Sequence, residues 1–164
     1  MSQQLAIDCF KFAREGGVQE GTLAVSDLVR LHDALSGFSG EVRYRISGGH
    51  GERDQPQLRV EVSGMLPLAC QRCLQSVEFE CSVDNLLELV PEGADLTQDE
   101  LEDDSRDFLP VSGLLDVASL VEDEILLALP AVPRHEKCGL PGTSEAGERI
   151  TPFASLSALK GKPN

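Results

Sequence analysis

The chain has no tryptophan, one tyrosine and six phenylalanines in 164 residues. Stacking platforms for nucleic-acid bases are therefore scarce, and a core must be built mainly from Leu, Val and Ala. No apolar run is long enough to cross a bilayer: the longest, from Ile125 to Val132, is interrupted by Pro130. The opening residues, MSQQLAID, carry neither the basic nor the apolar region of a secretory leader, so the expectation is a protein kept inside the cell. Catalytic signatures are also missing. There is no G-x-S-x-G and no phosphate-loop GK[ST], and His135-Glu136 continues as Lys137-Cys138 instead of the zinc-protease H-E-x-x-H. The expectation is a protein that is not an enzyme and has no small-molecule substrate.

Positive charge is in deficit too. Twenty-eight acidic residues stand against fourteen Lys and Arg, a net charge of −14. Between Asp84 and Glu124 lie fourteen acidic residues and one base, Arg106; the rest of the chain is nearly neutral. Such a block repels a phosphate backbone and attracts basic partners, or serves only as a solvated loop.

What is present is periodicity. Thr22 to Val25 reads as a short strand, followed by a helix with Ser26 as N-cap. Leu28, Leu31, His32 and Leu35 would lie on one face, and Gly37 would end it. The period then becomes two: Val42, Tyr44 and Ile46; Leu58, Val60 and Val62; Val77, Phe79, Cys81 and Val83. Ser47 to Pro56 reads as a wide hairpin loop between the first two runs. A second helix begins at the cap Asp116, buries Val117, Leu120, Val121, Ile125 and Ala128, turns Glu122, Asp123 and Glu124 mostly away, and stops at Pro130. The expected fold class is α+β, an antiparallel β-meander packed against helices, with a CxxC turn and an acidic loop. One domain would span 1–164, with a flexible acidic segment at about 91–113, a loop at 139–149 and a short C-terminal helix at 152–160.

Five cysteines in an acidic chain without a leader suit a reducing compartment. Cys70 and Cys73 occupy a tight reversal between two strands. Only His135 and Cys138 offer a second pair of neighbouring ligands, and the four together make a Cys₃His set suited to one structural zinc ion. Three other readings stand beside zinc. The cysteines could be reduced and metal-free in a packing role, or a redox pair, or mere shapers of a turn that displays Gln71 and Arg72. Cys9 and Cys81 read as core thiols. Arg43, Arg45, Arg59 and Arg72 could form a basic stripe on the exposed sheet face, or could pair with Glu61, Glu78 and Glu80 across strands.

Three segments together carry a resemblance: CQRCL from Cys70, LVEDEILLALPAVPRH from Leu120 to His135 with Cys138, and PFASLSALK from Pro152 to Lys160. The chain resembles the bacterial YceD family, the large ribosomal RNA subunit accumulation proteins. The resemblance implies a cytoplasmic accessory factor in ribosome biogenesis that promotes synthesis, processing or accumulation of large-subunit rRNA. It also puts Cys70, Cys73, His135 and Cys138 at the family's Cys/His positions and Gln71 and Arg72 in its turn. The partners it implies are precursor large-subunit rRNA or ribosomal proteins of the pre-ribosome. Beside that reading stand an acidic binding partner or escort of a basic ribosomal protein, and a dithiol redox protein.

Overall fold

Residues 6–139 are described in the computed structural model of the protein. In chain order they form β1 (Ala6–Asp8), α1 (Cys9–Arg14), β2 (Val18–Ala24), β3 (Glu41–His50), β4 (Pro56–Ala69), β5 (Ser76–Pro91), α2 (Gln98–Leu101), β6 (Asp107–Val111), β7 (Leu114–Asp116) and α3 (Val117–Ala128). Strands β2 to β6 make one five-stranded sheet in sequential order, antiparallel except for the parallel β5–β6 pair. Strands β1 and β7 pair separately. The α+β expectation, with its antiparallel meander β3–β4–β5, is the observed fold.

Alternation decides the faces. Val42, Tyr44 and Ile46 on β3, Leu58, Val60 and Val62 on β4, and Cys81 and Leu87 on β5 point inward and are buried. Against them pack Val117, Leu120, Val121 and Ile125 of α3, together with Cys9 and Ala13 of α1. Full burial of each large aliphatic side chain is worth about 1.5–3 kcal/mol, so this stripe fixes the sheet register. Helix α3 starts where expected: the Asp116 carboxylate accepts from Ala118 N at 3.0 Å. It ends at Leu129, whose backbone turns extended before Pro130. Helix α1 lies directly on β3, because a Cβ at Gly48 would sit 2.5 Å from Phe12 O.

Several expectations are corrected. The helix expected from Ser26 to Gly37 is two 3-10 turns, Val25–Asp27 and Val29–Leu31, and Ser26 caps nothing. Leu28 has ψ +71 and breaks the helix, while the far end is drawn to β4 by Ser36 N→Pro67 O, Ala69 N→Ala34 O and a Leu35–Leu68 bridge. Leu28, Leu31 and Leu35 are buried regardless, since a 3-10 path also brings i and i+3 together. The hairpin loop between β3 and β4 is shorter than 47–56: Ser47 to His50 remain in β3 and pair with β4. Glu122 and Glu124 are not turned away but buried. Glu122 accepts from Arg30 N at 3.1 Å, and Glu124 from Asn85 Nδ2 at 3.2 Å.

The acidic segment at 91–113 carries elements that no periodicity announced. Thr97 and Glu100 form a capping box on α2, and β6 extends the sheet. Arg106, the block's one base, donates to both Glu88 oxygens, with Nε at 3.0 Å from Oε1, and lies over the Phe108 ring at 4.7 Å. The C-terminal helix expected at 152–160 lies outside the described residues, as does the 139–149 loop beyond Gly139.

Candidate metal centre

The β4–β5 hairpin builds the first half of the site. Leu74 N donates to Cys70 O and Cys70 N to Gln75 O, both at 2.9 Å, and Leu74 takes φ +62 to close the turn. That turn directs Cys70 and Cys73 to one side. The second half comes from the extended chain after α3, where Pro130 and Pro133 prevent further helix. Two hydrogen bonds clamp this chain to the turn: Gln71 N→Pro133 O at 2.8 Å and Arg72 Nη1→Cys138 O at 3.0 Å.

The result brings Cys70, Cys73, His135 and Cys138 together, with one ligand atom of each lying within 4.8 Å of the others. Cys70 Sγ is 3.8 Å from Cys138 Sγ, and Cys73 Sγ is 3.4 Å from His135 Nδ1. A tetrahedron with Zn–S of about 2.3 Å and Zn–N of about 2.0 Å has S–S and S–N edges of about 3.8 and 3.5 Å. The 3.8 Å sulfur pair is far beyond a disulfide bond, and all five cysteines are free. His135 Nε2 lies 2.9 Å from Ser76 O. A carbonyl can only accept, so Nε2 donates to it and Nδ1 is the nitrogen turned to Cys73, the orientation a metal-bound histidine takes.

The electrostatics fit a cation. Cys70 is fully buried, and N–H donation, first from Cys73 and then from Arg72 and His135, lowers its pKa to about 5 against the cost of burial. Cys138 is pushed up, first by burial and then by its contacts with Cys70 and Cys73. Thiolates crowded in this way repel one another unless they share a positive charge. Four protein donors on one ion would make a closed shell, as in structural zinc sites; a catalytic zinc keeps an open position. The CxxC is also not at a helix N-terminus, where a low-pKa redox pair is found.

The remaining predicted residues fall differently. Gln71 and Arg72 brace the two halves of the site, Gln71 through its backbone N–H and Arg72 through its guanidinium. Ser76 and Pro133 contribute carbonyls there, which no sequence signal marks. On the outer sheet face, Arg45 lies between Glu20 (3.3 Å) and Glu61 (3.9 Å), and Arg59 makes two bonds to Asp84, at 2.7 and 2.6 Å. Among the described residues Arg43 has no carboxylate within ion-pair distance, and neither Glu78 nor Glu80 has a cation. Besides the Glu88–Arg106 pair, the face carries Glu20, Glu41, Glu61, Glu78, Glu80 and Asp84 against Arg43, Arg45 and Arg59, a net charge of −3. The arginines are present, but they do not make the face basic.

Among known proteins, the family described as "Large ribosomal RNA subunit accumulation protein YceD" matches residues 58–160, a span that includes most of β4, all of β5 and α3, and all four cluster residues. A protein of that name from Haemophilus influenzae is 26% identical over 176 aligned positions, covering 96% of each chain. No solved structure matches.

Proposed function

We propose that this chain, which belongs to the YceD family of large ribosomal RNA subunit accumulation proteins, is a non-catalytic factor in bacterial ribosome biogenesis. It acts in the cytoplasm, and its presence raises the amount of large-subunit rRNA that survives synthesis and processing. One observation carries the reading: the family match spans both halves of the Cys/His cluster, and four protein donors on one ion would fix a shape and leave no position for a substrate. Cys70, Cys73, His135 and Cys138 would hold one zinc ion, and its chemistry there is to join the β4–β5 turn to the chain beyond α3. Binding free energy at such a site is folding free energy for the segments it joins.

The test has two arms. Deleting the gene in its host should lower large-subunit rRNA relative to small-subunit rRNA, and the wild-type gene should restore it. An unchanged ratio would refute the biological reading. Protein purified without a tag should contain one zinc per chain, lost in both Cys73→Ser and Cys138→Ser. A metal-free wild type with unaltered rRNA accumulation in both variants would refute the zinc clasp.

The direct partner is either precursor rRNA or a basic ribosomal protein within the pre-ribosome. The ion pairs on Arg45 and Arg59 favour the protein, because phosphate binding there must first displace carboxylates.

A further inference from the structure

We propose that the outward face of the β2–β5 sheet is a docking surface for an extended, lysine- and arginine-rich segment of another protein. The inference rests on the accessory-factor reading above and specifies where that factor meets its partner. Helices α1 and α3 pack against the sheet through its buried inner side chains, and among the described residues the opposite face is largely exposed, apart from Glu88 under Arg106. That face holds an open depression of about 780 Å³ beside Glu20, Thr22, Arg43, Glu61, Ser63 and Asp84.

Charge complementarity selects the occupant. In the antiparallel register Glu20, Arg45, Glu61 and Asp84 fall on four successive strands as one row. Arg45 and Arg59 are already paired with these carboxylates across neighbouring strands. A phosphate that took their N–H groups would face the carboxylates it released, whereas an incoming ammonium or guanidinium meets a surplus of negative charge. Arg43 alone is a weak anchor for an anion on a face of this sign.

Toward the metal end the match becomes more specific. Glu80 is in register with Met65 and Glu78 with Pro67, and Met65 is 47% exposed. A lysine or arginine stem can lie on Met65 or Pro67 while its head reaches the neighbouring carboxylate. Glu78 and Glu80 are alternate residues of one strand, about 6.8 Å apart. Alternate side chains of an extended partner repeat at that same spacing, so a segment with a basic residue at every second position fits both carboxylates at once.

The experiment titrates the full-length, zinc-loaded protein with a synthetic peptide alternating Lys and Ala, followed by backbone amide NMR. Amide shifts should concentrate at 59–65 and 76–84 and diminish with added salt. Glu78→Lys with Glu80→Lys should weaken binding about tenfold, with zinc content and circular dichroism unchanged. Shifts confined to 92–107, affinity within about twofold of wild type in the double variant, or tighter binding of polyuridine RNA at the same face would each overturn the proposal. Peptide binding at the sheet together with normal rRNA in the deletion strain would sink the biogenesis reading and leave the docking surface standing. No peptide binding together with depleted rRNA would do the reverse.

Discussion

Arg106→Met should cost about 2–3 kcal/mol of stability at pH 7. The Arg106 and Glu88 side chains are only 18% and 12% exposed, so the pair is shielded from water on most sides. Losing hydrogen bonds to a charged group typically costs about 1.5–3 kcal/mol. The contact with the Phe108 ring adds about 0.5–1 kcal/mol where it is exposed. Glu88 would keep only a long 3.5 Å contact from Gln57 and would relieve part of the penalty by taking up a proton. For a chain of this size the loss corresponds to about 5–10 °C in melting temperature. Far-UV circular dichroism in a urea titration is the suitable assay, because the chain has no tryptophan. Arg106 holds the Glu88 carboxyl below its ordinary pKa. The pair's contribution is therefore present above the unfolded carboxylate pKa and disappears as pH falls through the lowered folded value. Arg106→Met combined with Glu88→Leu should recover most of the loss, since an apolar pair carries no desolvation cost. A single-variant loss below about 0.5 kcal/mol, or a double variant no better than the single, would refute the idea that this pair ties the acidic segment to the sheet.

Glu124→Gln should raise stability at pH 7. Burial first, and then Asp107 and Asp123, push the Glu124 pKa up, so its ionised form penalises the fold above that raised pKa and the penalty vanishes as pH drops below the unfolded value. Melting curves at pH 7 and at about pH 4 should show the advantage only at the higher pH; an advantage that persists at low pH would contradict the assignment. Gly48→Ala should destabilise by about 1–3 kcal/mol, because its Cβ would meet Phe12 backbone that cannot swing aside. Chemical denaturation measures this, and a neutral result would mean that α1 shifts freely on the sheet.

The parts of the fold that could be read in the sequence are those where local pattern and tertiary environment agree. Strands β3, β4 and β5 alternate because each has one wet and one dry face, and a period of two records that directly. Helix α3 declares itself by the Asp116 cap, its apolar stripe and Pro130. The segment after Ser26 misled because i, i+3 burial fits both an α-helix and 3-10 turns, and only the pairing of its far end, Ala34 to Ser36, with β4 separates them. Strand β6 was hidden by Asp107 and Pro110, which an edge position tolerates. The burial of Glu122 and Glu124 depends on Arg30 and Asn85, residues that lie 92 and 39 positions away in the chain.

For the metal centre the division is similar. Sequence alone named Cys70, Cys73, His135 and Cys138, because these residue types have few uses as close pairs in a chain of this composition. It could not bring the two pairs together across 61 residues. That convergence was decided by the length of the β4–β5 hairpin, by α3 ending at Leu129, and by the hydrogen bonds from the Gln71 backbone N–H and the Arg72 guanidinium. The charge of the sheet face was likewise a tertiary result. Three arginines spaced along two strands suggest a basic stripe, but strand register interleaves them with carboxylates from β2 and β5, and only the folded chain sets that register.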